Sequence, residues 1–397
     1  MFENVTRVKH VALFAAVVFL TSAASAQNAS DQTNVFGTPK VGGQEKIGLQ
    51  SVEYRLGIYS KNDAGNGFSA GNPFLDEDLT VIEPAVIWNY GLSKRSAVSV
   101  NVAYDWVSSA SISRLNDRTQ YPNSQQSGAS GDFYIGVDTA YRYHVSDTMQ
   151  VGTHLDFSKE YDYLSIGLGG NAAWKSENGN MHQSVAVNGY FDSLDIIRFN
   201  GVQESGDTRT SLSLTYLWDG VLTASSQAQL GSTISAQSGF LGAPYNSVFI
   251  ESGGTPTEVP EVLPDSRLRY SVFGSYRYWI GKGMAAELAS RFYSDDWGLT
   301  GISLEPRWYQ MLSENLLARL RYRYYDQNAS DFSGRFTTAQ EFMTQDSDLD
   351  VLSSHTLGLR FVGYQHGQQG WDAGVDYIMR SDHLDHIVAS FGYLWTF

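Results

Sequence analysis

From about Lys46 to the last residue, apolar and polar side chains alternate with a period of two, in segments of roughly ten to fourteen residues separated by turn signals. Helical periodicity is nowhere sustained. In Val98-Ser99-Val100-Asn101-Val102-Ala103-Tyr104-Asp105-Trp106 the even positions are apolar and the odd ones polar or small. The same rule holds in Phe133 to Tyr143, Leu164 to Trp174 and Leu316 to Tyr324. A strand with this pattern puts one face on an apolar surface and the other on a polar one. About sixteen such segments, an even number as bacterial barrels use, begin near residues 47, 79, 96, 131, 149, 163, 181, 207, 221, 267, 283, 298, 315, 351, 371 and 384. The fold class predicted is all-β: a transmembrane antiparallel up-and-down β-barrel with both termini periplasmic.

The connections support that reading because they alternate in length. Tight turns are expected near Leu92 to Arg95, Ser146-Asp147, Asn178-Gly179, Asp219-Gly220, Gly281 to Gly283, Ser313-Glu314 and Gln368 to Gly370. Long connections, Lys61 to Asp78, Ser109 to Gly131, Ser193 to Gly206, Gly239 to Ser266 and Gln327 to Asp350, all fall on the other side of the count. Short periplasmic turns and long outer loops produce this asymmetry. A soluble sandwich is the alternative, but its inner face would be dominated by Val, Ile and Leu. Here 24 Tyr, 20 Phe and 9 Trp crowd the strands.

The first residues have the layout of a cleavable export signal: Arg7 and Lys9, an apolar run from Val11 to Leu20, then Ala24-Ser25-Ala26. Residues 1–26 are therefore assigned as a signal peptide, 27–45 as a short polar segment and 46–397 as the barrel. No apolar run reaches the roughly 18 residues of a membrane-spanning helix. The chain has no Cys, which excludes disulfides, thiolate metal sites and Cys nucleophiles. A formal charge of −15 argues against nucleic acid as a partner. At the other end Ile387, Ala389, Phe391, Tyr393, Trp395 and Phe397 share one face, and Phe397 is terminal. Phe391, Tyr393, Trp395 and Phe397 resemble the C-terminal signal read by the barrel-assembly machinery.

If the apolar phase faces lipid, the opposite phase defines the lumen. Between about 267 and 360 it carries Arg267, Arg269, Arg277, Arg291, Arg307, Arg319, Arg321, Arg323 and Arg360, with only Glu287 and Glu305 as accompanying acids. In the first half it carries Glu53, Glu83, Asp105, Asp132, Asp138, Asp156, Glu160 and Asp192, relieved by Arg55, Arg142 and His154. A basic wall and an acidic wall on different arcs would set a transverse field across the interior. The alternative is that the charges pair across a narrow barrel and hold it shut. The Gly239 to Ser266 loop, with its four prolines, is the candidate constriction or outer lid.

Enzyme chemistry finds little support. His383-Leu384-Asp385-His386 could bring two imidazoles to the outer rim, but no spacing marks a nucleophile. Asp346-Ser347-Asp348-Leu349-Asp350 alternates like calcium ligands yet lacks the Gly and distal Glu of an EF-hand loop. The Gly-Leu-Gly-Gly run at 167 to 170 lies inside a strand, where glycine permits bending or close approach, and is not a phosphate cradle. No enzymatic activity, cofactor or metal is expected.

Several stretches, in order, carry a family resemblance: Val107 to Ser111, Ser127 to Ser130, Glu160-Tyr161-Asp162-Tyr163, Pro264-Asp265-Ser266-Arg267, Asp295-Asp296-Trp297-Gly298 and Tyr322 through Phe332. Together they resemble an uncharacterised family of Gram-negative outer-membrane barrel proteins, the domain-of-unknown-function family 3570. The resemblance implies a barrel and supplies no substrate or catalytic residue. It also implies a neighbourhood of small lipoproteins and flavin-attaching transferases, and so a role in cell-envelope redox or flavoprotein systems. The reading of the residues themselves is a porin-like passage for polar solutes or an export cargo. Its alternative is a closed barrel that serves as a structural or interaction partner in the envelope. The expected partners are outer-membrane lipid and lipopolysaccharide, the assembly machinery, a periplasmic envelope component, and further copies of the chain. N-terminal sequencing of protein recovered from outer membranes should begin at Gln27; a start at Met1 would refute the leader assignment.

Overall fold

The computed structural model describes residues 44–62, 79–109, 132–252, 255–365 and 369–397. The leader, the segment up to residue 43 and most of the two expected loops at 61–78 and 109–131 lie outside the described residues. Eighteen strands are formed: β1 (Gly48–Asn62), β2 (Leu79–Ser93), β3 (Ser96–Ser109), β4 (Asp132–His144), β5 (Met149–Lys159), β6 (Tyr163–Lys175), β7 (Met181–Leu194), β8 (Asp207–Thr223), β9 (Ser226–Gly239), β10 (Ser247–Ser252), β11 (Thr255–Pro260), β12 (Ser266–Gly281), β13 (Met284–Asp295), β14 (Thr300–Ser313), β15 (Leu316–Gln327), β16 (Leu352–Gln365), β17 (Gln369–Arg380) and β18 (Asp385–Thr396). All but β10 and β11 join one closed antiparallel barrel of sixteen strands, each beside its sequence neighbour, and β18 pairs with β1. That seam runs in continuous register from Ser51 opposite Thr396 to Asn62 opposite Asp385.

The faces are inverted relative to a soluble domain. Ile58, Trp88, Trp106, Leu155, Leu168, Leu214, Tyr276, Trp308, Leu320, Leu359 and Trp395 are exposed on the outside, while Arg55, Glu83, Asp105, His154, Glu287, Glu305 and Arg321 are buried on the inside. Only a hydrocarbon environment makes this arrangement favourable, because the apolar belt is its contact surface and the strands satisfy one another's backbone groups. Exposed Tyr and Trp occur near strand ends, as at Tyr90, Tyr143, Trp279 and Trp395.

Strand starts agree with the alternation to within a few residues, with one exception. The turn expected at Asp219-Gly220 lies beyond Thr223, and β8 runs seventeen residues through both positions. The Gly was read as a break. It serves the Trp218 ring, which covers the spot that a side chain at 220 would need, while Asp219 is held by Gln227 of β9 at 2.9 to 3.0 Å. The long connection 240–265 is also not irregular throughout. It contains the β10–β11 hairpin, paired from Ser247 opposite Pro260 to Ser252 opposite Thr255.

Arg55 ties the seam from inside. Its guanidinium reaches Glu53 of the same strand at 2.6 Å and Asp372 of β17 at 3.0 Å, so one buried cation links β1 and β17 across β18. Removing it takes the cation from Glu53 and, among the described residues, leaves Asp372 with only Arg360, at 3.6 Å. Arg55→Ala should destabilise the barrel by about 3 kcal/mol, read as a lower midpoint in urea unfolding of refolded protein, with partial recovery in Arg55→Lys. An unchanged midpoint would show that the seam does not depend on this pair.

Candidate functional site

In a ring of sixteen strands, half a turn is eight strands. Counting round the barrel, β2 stands opposite β12, β3 opposite β13, β4 opposite β14 and β5 opposite β15. The interior phase of β2–β5 carries Glu83, Asp105, Asp138 and Asp156, and its one arginine, Arg142, is taken by Glu45 at 2.7 Å. The interior phase of β12–β15 carries Arg267, Arg269, Arg277, Arg291, Arg307, Arg319, Arg321 and Arg323 against three carboxylates, Glu287, Asp295 and Glu305. The heights match as well. Glu83, Asp105 and Asp156 lie three to four residues from the loop-side ends of their strands, and so do Arg269, Arg291 and Arg323.

The basic arc is organised by shared acids and by rings. Glu287 accepts from Arg277 at 2.6 Å and from Arg307 at 2.8 Å; Arg307 also reaches Glu305 at 2.5 Å, and Arg321 donates to Asp376 of β17 at 2.8 Å. Arg267 binds Asp295 and lies 4.2 Å from the Trp297 ring centroid; Arg277, Arg291 and Arg323 lie over Tyr309, Phe273 and Tyr325 at 4.9 to 5.5 Å. These contacts hold like charges in register: Arg307 stands directly across from Arg321, and Arg319 across from Arg360. Such pairs are destabilising unless acids bridge them. The expectation that only Glu287 and Glu305 accompany the arginines is therefore corrected. Asp295, Asp372 and Asp376 also face inward. Asp372 and Asp376 share the interior phase of β17 with Gly374 and Ile378, which blurs the alternation that would have revealed them.

The acidic set narrows on inspection. Glu53 is claimed by Arg55, and Asp192 by Arg209 at 2.8 Å and Ser165 at 2.7 Å. Glu160 lies in the turn between β5 and β6, and the side chain of Asp132 is outside the described residues. The remaining carboxylates on β2–β5 have no arginine or lysine partner among the described residues. Asp138 faces Asp156 directly and accepts from Asn101 at 3.0 Å, His154 lies 3.4 Å from Asp156, and a buried oxygen each of Glu83 and Asp105 has no hydrogen-bond partner.

The inner wall is accessible to solvent at β16 and β17. Arg360 and Asp376 point inward, yet their side chains stay 25% and 22% accessible, so the solvent they meet is inside the barrel. Glycine keeps that space open. A side chain at Gly358 would occupy the place of the Asp376 carboxylate and the Arg321 stem, and one at Gly392 the place of Asp372 and Arg55. Glycine at both positions lets the ion pairs lie flat against the wall.

Two loops build a cap over the loop-side mouth. Val248 and Ile250 of the hairpin pack with Phe336 and Met343 of the 328–351 loop. Glu261 ties the loops by accepting from Thr344 at 2.5 Å and from the Ala243 backbone at 3.1 Å; burial pushes its carboxyl up despite these bonds. The cap is rooted on the wall by Trp297, Leu299 and Leu349, and by Arg380 of β17, which binds Asp348 at 2.7 Å. Burial opposes ionisation of Asp348, but Arg380 and Lys61 outweigh it and hold its carboxyl below the usual range. Tyr245, in the turn ahead of β10, is 41% exposed and lies within electrostatic reach of Glu160, Asp162, Asp346 and Lys61.

The other sequence candidates resolve into structure. His383 is exposed in a turn with φ of 66°, while His386 is buried and meets the Tyr59 hydroxyl at 3.2 Å, so the two imidazoles do not converge. Asp346 caps a single 3-10 turn, Ser347–Leu349. Gly169 lies beneath the His154 ring. Phe391, Trp395 and Phe397 face outward on or just beyond the closing strand, and Tyr393 and Trp395 pack with ring centroids 4.4 Å apart.

A family model described as a protein of unknown function, DUF3570, matches residues 12–396. The chain belongs to the DUF3570 family. No curated protein sequence matches this DUF3570 member. Among solved structures it is similar to a bacterial polysaccharide outer membrane secretin, at 9% identity and a TM-score of 0.49, over 89% of this chain and all of the other. It is also similar to a variant of the ferric enterobactin receptor of Pseudomonas aeruginosa (10%, 0.46, 84% of this chain and 54% of that one). The siderophore receptor PirA of Acinetobacter baumannii gives 9%, 0.45, 84% and 53%. The DUF3570 chain thus spans about half the length of these receptors.

At the turn-side end, Glu45 enters ahead of β1 and is gripped by Arg142, by Gln50 and by His144 at 2.8 Å. Burial alone would raise its carboxyl, but these hydrogen bonds prevail and hold it at about 2. A depressed folded value adds stability above the ordinary value of 4.5, and that stability is lost as pH falls towards 2. Glu45→Gln should therefore unfold at lower urea near neutrality and flatten the pH dependence of the midpoint over that window. A wild-type slope in the variant would remove Glu45 as its source.

Proposed function

We propose that the protein is a porin-like barrel of the outer membrane that gives polar solutes or an export cargo a passive route across it. The apolar belt supports a bilayer setting, and the short turns with both chain ends suit the periplasmic side. The observation that carries the reading is the placement of eight inward arginines on β12–β15 across the barrel from four inward carboxylates on β2–β5, with the inner wall accessible to solvent at Arg360 and Asp376 of β16 and β17. A barrel that used charge only to seal itself would pair these groups; here they are kept eight strands apart.

The cap favours one second reading, a barrel closed at the mouth that serves an envelope partner through its loops. The two separate in planar bilayers. Refolded protein, checked by heat-modifiable migration, should give stable single channels, and replacing Arg319, Arg321 and Arg323 together with Ala should shift the reversal potential in a salt gradient towards cations. Unchanged selectivity would refute the role of these arginines, and a folded but silent barrel would leave the partner reading.

A further inference from the structure

We propose that the solutes favoured by this interior are small neutral polyols, sugars among them, taken up along a wall of hydroxyl and amide groups on β7–β9. The inference rests on the passage reading and names what such a passage selects. Over the middle of five neighbouring strands the sequence holds no charged side chain. None stands ahead of Lys175 in β6, between His182 and Asp192 in β7, between Arg209 and Asp219 in β8 or between Arg269 and Arg277 in β12, and β9 has none at all. What faces inward there is a ladder of neutral polar groups. Ser211 stands across from Gln237, Ser213 from Ser235 and Thr215 from Thr233, three successive inward pairs of β8 and β9. Gln237 donates to Ser211 at 3.0 Å, the hydroxyls of Thr215 and Thr233 lie 3.0 Å apart, and Asn188 of β7 reaches Ser213 at 3.5 Å.

All six ladder side chains are half-buried, so each presents part of itself to the interior. Five of them are Ser or Thr, whose short side chains leave room beside the wall. The cross-strand bonds hold these groups in place without exhausting them, because a hydroxyl both donates and accepts and an amide offers two donors and an acceptor oxygen. Rungs recur about every 7 Å along the strands, so a short hydroxylated chain or a sugar ring can touch two at once. Neutrality then decides the class of solute. Neutral dipoles do not repay the hydration of an ion. An ether oxygen only accepts, so it meets the donors of the ladder and leaves its acceptors unpaired. A polyol donates to one group and accepts from the next, replacing its hydration bond for bond, and a site built this way discriminates against analogues that lack the hydroxyl. One net hydrogen bond corresponds to a preference of about three- to tenfold.

Xylitol and triethylene glycol have nearly the same mass and no charge; one is hydroxylated at every carbon and the other is mostly ether, and they make the test. Swelling of proteoliposomes, corrected for protein-free vesicles, should be about three- to tenfold faster in xylitol. The ratio should hold as salt is raised, since screening acts on charges and not on neutral hydrogen bonds. Combining Ser213→Ala, Thr215→Val, Thr233→Val and Ser235→Ala should bring it towards one; the wild-type comparison needs no variant and decides the matter if that protein fails to fold. Entry of the glycol as fast as xylitol through wild-type protein would overturn the inference and leave the passage intact. An unchanged ratio in the folded variant, or a ratio that collapses in salt, would do the same by placing the selectivity elsewhere on the wall. Entry of neither through a folded barrel would overturn the passage reading and the inference with it.

Discussion

Backbone closure in a hydrocarbon environment is the constraint from which the rest of this molecule follows. With no water in the bilayer core, each strand's N–H and C=O groups must be met by a neighbour, and the last strand must return to the first. The unbroken β1–β18 register, reinforced by Arg55 from within, is that return. Once the ring is closed, side chains alternate between lipid and lumen along the strands, apart from bulges near their turn-side ends. The polar half of the sequence then has only the interior in which to sit.

Legibility in the sequence follows the same division. The strands were readable because the lipid face enforces period two, as in Val98 to Trp106, and strand starts there agree to the residue or nearly so. The β8–β9 turn was misplaced because glycine has two uses in a barrel: it ends strands, and it also makes room for a neighbouring ring, as Gly220 does for Trp218. Parity gave the inward direction of the arginines but not their partners, since pairing depends on which residues stand opposite in register. Asp372 and Asp376 were hidden by the weak alternation of β17. The cap was invisible, because its core joins Val248 and Ile250 to Phe336 and Met343, nearly a hundred residues away, with no shared period.

The placement of the ion pairs has a physical logic. An up-and-down meander keeps sequence neighbours beside one another, so a lumen with two charged walls requires acids in one half of the chain and arginines in the other. Two boundaries then exist where the arcs meet. At one, Glu53, Arg55, Asp372 and Arg360 interlock across β1, β16 and β17; at the other, Asp192 of β7 binds Arg209 of β8. On β2–β5, midway between those boundaries, the carboxylates pair with no arginine among the described residues, and Arg142 is held by Glu45.

That pattern distinguishes structural charge from charge held in reserve. Were all interior charges there to fasten strands, opposite signs would be interleaved at every register position, as cross-strand pairing favours. Instead like charges are set face to face, Arg307 against Arg321, Arg319 against Arg360 and Asp138 against Asp156, each arrangement costing stability that a simple exchange of signs would recover. Glycines at 358 and 392 hold the pairs that do form against the wall and out of the central space. Segregation of this kind carries a cost that a barrel using its interior charges only to fasten strands would avoid.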